Sequence, residues 1–266
     1  MRILAVETSG ARGGIALAEG ARVIDEALLG EGLRHGRDLV LTAKAACERA
    51  GWDRRKIDLV AVSIGPGSFT GIRIAVTFAK VMAFDTGAKI AAVPSLRVMA
   101  ENAPPDRRRV AAIVDAKRGG LFASIFERRG PSQAAPLPAH AEPLLAPGVS
   151  RGSNGAPASQ RGPATPLLEE FNEIFGPALI EPEDLARHME APALVLGRGL
   201  IKGREALKAF DLAPENLWDP RPGVVARLGA ELAARGQFAD PLRLEPIYIR
   251  PPEAEEIWER RRRLGT

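Results

Sequence analysis

Ser63-Ile64-Gly65-Pro66-Gly67-Ser68-Phe69-Thr70-Gly71-Ile72-Arg73-Ile74-Ala75-Val76-Thr77-Phe78-Ala79-Lys80 decides how the rest of this chain is read. An apolar run, Leu59 to Ile64, reads as a buried strand and ends in a Gly-Pro-Gly turn. A helix pattern starts at once and is apolar almost all the way round. Its polar positions, Thr70, Arg73, Thr77 and Lys80, recur every three or four residues and so form one narrow stripe. Ile72, Val76, Ala79 and Ala83 make one apolar line, and Ile74, Phe78 and Met82 make another. One line should cover the helix's own sheet. The other, with Phe69, is left for a partner helix.

The glycines of Gly65 to Gly71 first suggest a phosphate loop. The Walker pattern requires Gly-x4-Gly-Lys-Ser/Thr, and here Gly71 is followed by Ile72. The three-glycine dinucleotide fingerprint is also absent. Two readings stay open. The helix N-terminus holds an anion with its backbone N–H groups. Alternatively, the turn is only structural, with Gly67 left-handed and Ser68 capping the helix. The second is preferred. Gly-x-Ser-x-Gly is absent around Ser68, because Pro66 stands where its first glycine would be.

Working outward, Arg2 to Glu7, Gly14 to Ala18 and Ala21 to Leu29 read as three strands. Asp38 to Ala50 has helical spacing and ends at Gly51. Ile90 to Val93 reads as a strand, and Leu96 to Ala100 as a helix. Asn102 to Asp106 is a linker, after which the opening pattern returns. Ile3 to Leu17 runs strand, acid (Glu7), turn with Gly13-Gly14, strand. Val110 to Phe126 repeats it with Asp115 and Gly119-Gly120. This is a degenerate duplication. It divides the chain into residues 1–103, an N-terminal lobe with partner-binding helices, and 104–266, a C-terminal lobe. The second lobe holds a Pro/Ala/Gly-rich insertion at about 130–166. Leu194 to Leu196 is a strand candidate, Val224 to Ala234 a helix, and Leu244 to Pro252 a final extended segment.

Composition narrows the chemistry. The 266 residues are 45% hydrophobic and 26% charged, as in a globular protein with a sizeable core. Aromatic residues are 5%, with one tyrosine, which argues against base-stacking platforms. The net charge of +4 comes largely from short arginine runs, read as solvated faces. The single cysteine, Cys47, makes no intrachain disulfide and reads as a small core residue. His35, His140 and His188 show no metal spacing, so no metal site is expected. No signal peptide and no membrane span are read, and the expected compartment is the cytoplasm.

Strand, acid and glycine turn repeated in two lobes resembles the actin, sugar-kinase and heat-shock ATPase superfamily. The implied fold class is α/β, a two-lobed actin-like ATPase (ASKHA, ribonuclease H-like) fold with mixed sheets flanked by helices. There the glycine turns hold nucleotide phosphates and the acids hold magnesium. Here Glu7 replaces the usual Asp, and Lys117 stands where a glycine is usual.

Gly65-Pro66-Gly67-Ser68-Phe69-Thr70-Gly71-Ile72-Arg73-Ile74 closely resembles the signature of the TsaB (YeaZ) family. So do Ile3 to Ser9, Ile113 to Gly119, Gly197-Arg198-Gly199, Glu245 to Arg250, and a histidine, His35, before the first long helix. The resemblance implies a non-catalytic scaffold for threonylcarbamoylation of adenosine in tRNAs that read ANN codons. It implies a heterodimer with the catalytic, metal-binding TsaD paralogue, a TsaE-like ATPase as a further partner, and self-association as a homodimer when alone. Contact with tRNA would be indirect. The implied docking set is Phe69, Ile72, Arg73, Ile74, Val76, Phe78, Ala79, Lys80, Met82 and His35. A degenerate nucleotide set would comprise Glu7, Thr8, Ser9, Asp115, Lys117, Gly197 and Gly199. No cofactor would be tightly bound, and ATP or ADP would be confined to the complex. The competing readings are an active phosphotransferase using Asp115 and, last, a glycoprotease-like peptidase.

Overall fold

The computed structural model describes residues 1–30, 35–128, 171–249 and 262. The insertion expected at 130–166 and the end of the extended segment after Ile249 lie outside these residues. The chain runs β1 (Arg2–Glu7), β2 (Gly14–Glu19), β3 (Arg22–Leu28), α1 (His35–Arg49), β4 (Leu59–Ser63), α2 (Phe69–Thr86), β5 (Lys89–Val93) and α3 (Ser95–Ala100). It continues β6 (Arg109–Asp115), β7 (Leu121–Arg128), β8 (Phe171–Ile180), α4 (Pro182–Arg187), β9 (Leu194–Leu196), α5 (Leu200–Gly203), β10 (Asp211–Leu212) and α6 (Pro222–Ala234).

Two five-stranded sheets form, ordered β3-β2-β1-β4-β5 and β8-β7-β6-β9-β10. Each has its first three strands in chain order paired antiparallel and its last two added in parallel. The duplication read from Glu7 and Asp115 is therefore present as topology. Glu7 ends β1 opposite Gly14, and Asp115 ends β6 opposite Leu121. Two mixed sheets flanked by helices in this order make an actin-like fold.

Alternation along β1 sorts the first core. Leu4 and Val6 face α1 and α2, while Ile3 and Ala5 face α6. On α2 the line Ile72, Val76, Ala79 and Ala83 seals the sheet. Burying Ile72 and Val76 contributes about 2 kcal/mol each. α6 lies close on the opposite face because Gly229 has no side chain: a Cβ there would overlap the Ala61 methyl.

The last helix of each half crosses over. α3 follows β5 but packs on β6 and β7, while α6 follows β10 but packs on β1, β2, β4 and β5. A boundary at residues 103 and 104 thus separates the sheets but not the helices, and residues 222–234 return to the first lobe. Leu244 also joins the first core, and the Ala239 N–H bonds the Ile90 carbonyl at 2.9 Å. After it, Leu244 to Ile249 is irregular backbone, not a strand. β8 escapes the sequence reading because it is an edge strand, exposed along much of its length and irregular in register against β7.

Candidate functional site

The turn before α2 is built against the turn after β1. Gly67 and Gly71 leave room for backbone: a Cβ on Gly67 would lie 2.5 Å from the Ser9 carbonyl oxygen, and one on Gly71 would overlap that of Thr8. The Ser68 N–H bonds the Ser9 carbonyl at 2.8 Å. The Thr8 hydroxyl donates to the Gly71 carbonyl at 2.6 Å. Ser68 Oγ caps α2 by accepting from Gly71 N at 3.3 Å. The left-handed glycine is Gly65, with φ 108, and not Gly67 as the sequence suggested. Ser95 Oγ accepts from Gly65 N at 2.9 Å and shares a 2.7 Å hydrogen bond with Ser63 Oγ. The motif is a structural joint whose N–H groups at Gly65, Ser68 and Gly71 bond protein oxygens.

A cleft of about 960 Å³ opens between the lobes, and most of its lining side chains are apolar. The residues expected at a nucleotide site do not assemble one there. Glu7 and Thr8 are fully buried, and only Ser9, Asp115 and Lys117 of that set line the cleft. Glu7 Oε1 accepts from Ser9 N at 2.5 Å and Ser9 Oγ at 2.6 Å. Burial raises its pKa, against the opposing pull of hydrogen bonds from Ser63 and Ser9. A buried, neutral-leaning acid does not fit the magnesium role that the superfamily resemblance implies. Gly10 is crowded from the far side of the cleft: Pro220 Cδ lies 2.9 Å from where its Cβ would be. Asp219, next to that proline, is held by Arg198 through bonds of 2.7 and 2.9 Å.

Asp115 accepts from the Lys117 N–H at 2.8 Å and from Lys202 Nζ at 3.1 Å. Burial works to raise its pKa, but these two hydrogen bonds and the two lysine charges outweigh it, and the net shift is downward. Lys117 and Arg118 adopt left-handed backbone, φ 64 and 52. Gly197 and Gly199 are explained by packing. A Cβ on the first would overlap the Ile113 carbonyl, and one on the second would lie 2.9 Å from Leu121. Neither lines the cleft.

A second concavity, about 480 Å³, runs between α1 and α2. Phe69, Arg73, Ile74 and Phe78 line it, together with Leu39, Val40, Thr77 and Val81. Its rim is apolar and open to solvent: Phe69 is 40% exposed, Val40 56% and Val81 59%. Phe84, 64% exposed, continues the same helical face. Three residues of the expected docking set are corrected. Ile72, Val76 and Ala79 are 1%, 4% and 0% exposed, sealed against the first sheet, because their line is the one that faces it. Lys80 and Met82 are half-buried outside the groove lining. His35 begins α1, but its side chain lies outside the described residues. Val40, Val81 and Phe84 were missed. For α2 the signal was present: the stripe Thr70, Arg73, Thr77 turns apolar at Val81 and Phe84.

At the groove's end Phe69 is flanked by two other side chains. The Arg73 guanidinium lies 4.7 Å from its ring centroid, and the Tyr248 ring lies 5.2 Å away at 37°. Among the described residues, no group of three or more His, Cys, Asp or Glu side chains is placed to hold a metal ion, and no helix is long and apolar enough to cross a membrane.

A relative from Bacillus subtilis (strain 168), tRNA threonylcarbamoyladenosine biosynthesis protein TsaB, is 30% identical over 261 residues, 97% of this chain and 98% of its own length. The chain belongs to the TsaB family. The model of the family TsaD, tRNA N6-adenosine threonylcarbamoyltransferase, matches residues 32–149 of this TsaB-family chain, which include α1 and α2. Among solved structures, YeaZ from Pseudomonas aeruginosa superposes with a TM-score of 0.69 at 21% identity, covering 93% of this chain and 99% of its own. A second Pseudomonas aeruginosa structure, of a protein described as similar to peptidase YeaZ, gives 0.70 at 21% identity, covering 94% and 99%. These two share the actin-like fold with the TsaB-family chain described here.

Proposed function

We infer that this chain is a non-catalytic subunit in tRNA threonylcarbamoyladenosine biosynthesis, and that it docks a TsaD-type catalytic chain through the α1–α2 groove. The observation that carries this reading is the open apolar face of Phe69, Val40, Val81 and Phe84 along two adjacent helices. A contiguous patch of large exposed apolar side chains is a mark of an interaction surface. A helix pair is also the natural seat for another apolar helix. The pathway comes from the TsaB relative, and the partner type from the TsaD model that matches this helical region.

The non-catalytic part rests on the cleft. Glu7 is buried, Asp115 is held by Lys202, and Pro220 crowds Gly10. Any nucleotide chemistry is left to the assembled complex. The test is size-exclusion chromatography of the chain with a TsaD-type protein, and calorimetry of the chain alone with Mg-ATP. A stoichiometric complex and no micromolar heat from the lone chain are expected. Micromolar binding by the lone chain would favour a phosphotransferase instead.

A further inference from the structure

Leu244 to Ile249 have no regular structure, yet this segment is fixed at several points. Leu244 is 7% exposed in the first core. The Ile247 N–H donates to the Ile64 carbonyl at 2.8 Å, and Gly65 stands beside it, with its missing Cβ 3.0 Å from the Ile247 carbonyl oxygen. The segment is thereby laid across the Gly-Pro-Gly joint, and Tyr248 emerges against Phe69. Tyr248 is 42% exposed, so one side of the ring pair faces solvent.

This pair stands on the ridge between the two concavities, since Phe69, Thr70 and Ile74 line both. Arg73 also lies against the Phe69 ring, and no carboxylate among the described residues pairs with it. A half-exposed aromatic pair beside an unneutralised guanidinium, continuous with an apolar groove, has the composition of an interface anchor.

We propose that the segment Leu244–Ile249 is a second component of the docking surface, and that Tyr248 is the residue through which it holds the partner. This rests on the docking reading above. The occupant is a helix of a TsaD-type chain, apolar along the groove and bearing an Asp or Glu opposite Arg73. The match of the TsaD model to α1 and α2 of this chain favours a partner with the same kind of helix pair.

The chain has one tyrosine, so 3-fluorotyrosine labels this position alone. In the full-length protein, the single 19F resonance should shift when a TsaD-type protein is added and a complex elutes. Tyr248→Ala should weaken association about ten-fold with an unchanged melting temperature, and Tyr248→Phe should bind as the parent does, since the ring and not the hydroxyl makes the contact. A complex that forms with the resonance unmoved and Tyr248→Ala binding normally would overturn the proposal and leave the groove reading intact. If no complex forms at all, the groove reading fails and the proposal fails with it. A shift produced by concentrating the chain alone, with no further change on adding the TsaD-type protein, would assign the surface to a second copy and overturn the choice of partner.

Discussion

At Gly71 a side chain has nowhere to go, because the carbonyl of Thr8 occupies the place of its Cβ. Gly71→Ala must push the first turn of α2 off the β1–β2 turn, an overpacking cost of about 2 kcal/mol, or roughly 4–8 °C in melting temperature. Gly30→Ala is the control: nothing stands within 4 Å of the added methyl, and thermal unfolding should be unchanged. Glu7 makes the opposite kind of prediction. Its pKa is raised in the fold by burial, so between the unfolded value near 4.5 and the folded one the native state holds a proton that the unfolded chain releases. Stability therefore falls as pH rises above about 4.5, because the unfolded state binds fewer protons there. Glu7→Gln removes that slope. The variant should match the parent near pH 4 and gain on it as pH rises from about 4.5 to the folded value, in chemical denaturation. A constant difference across the range would mean that Glu7 is ionised in the fold. The family signature was legible at this scale, but its reasons were not. Gly67 was expected to supply the left-handed turn, whereas Gly65 supplies it and Gly67 makes room for Ser9.

Helix α2 shows what an element's own pattern can and cannot say. Two apolar lines were visible, and the line Ile72, Val76, Ala79 and Ala83 was expected to be a candidate for the sheet, as it is. Of the other line, Ile74 and Phe78 do line the groove, but they share it with Arg73 and Thr77 of the polar stripe and with Phe69 and Val81. Val81→Asp and Phe84→Asp place a charge on side chains more than half exposed in the free chain. Each should leave thermal unfolding within about 0.5 kcal/mol of the parent, since surface changes rarely do more. Each should also reduce complex formation with a TsaD-type protein at least ten-fold in a pull-down titration. Unchanged association in both would remove the groove from the interface. Ile72→Asp should instead fail at folding, because it buries an unpaired charge in the first core.

At the scale of the whole molecule, the chain crosses between the lobes before α3 and before α6, and Asn102, just past α3, is tied to the segment that leads into α6. Its side-chain amide donates to the carbonyls of Leu217 at 3.1 Å and Asp219 at 2.8 Å. Asn102→Ala should increase amide hydrogen exchange around residues 217–221 while the strands β1 and β6 keep their protection. Equal exchange in both proteins would mean that the crossed helices alone fix the lobes. The sequence by itself determined the α/β class, the duplicated strand–acid–turn–strand unit, the helix after Gly-Pro-Gly and the family to which these belong. Each of these is written in local spacing, in turn residues, or in a contiguous signature. Only the tertiary structure decided which side of α2 is sealed, that α3 and α6 change lobes, that Pro220 crowds Gly10 and that Lys202 holds Asp115. Periodicity fixes the angle of an apolar residue on its own helix, but not the direction in which the sheet lies. Contacts between residues distant along the chain, such as Asp115 with Lys202, leave no mark in the local pattern of either.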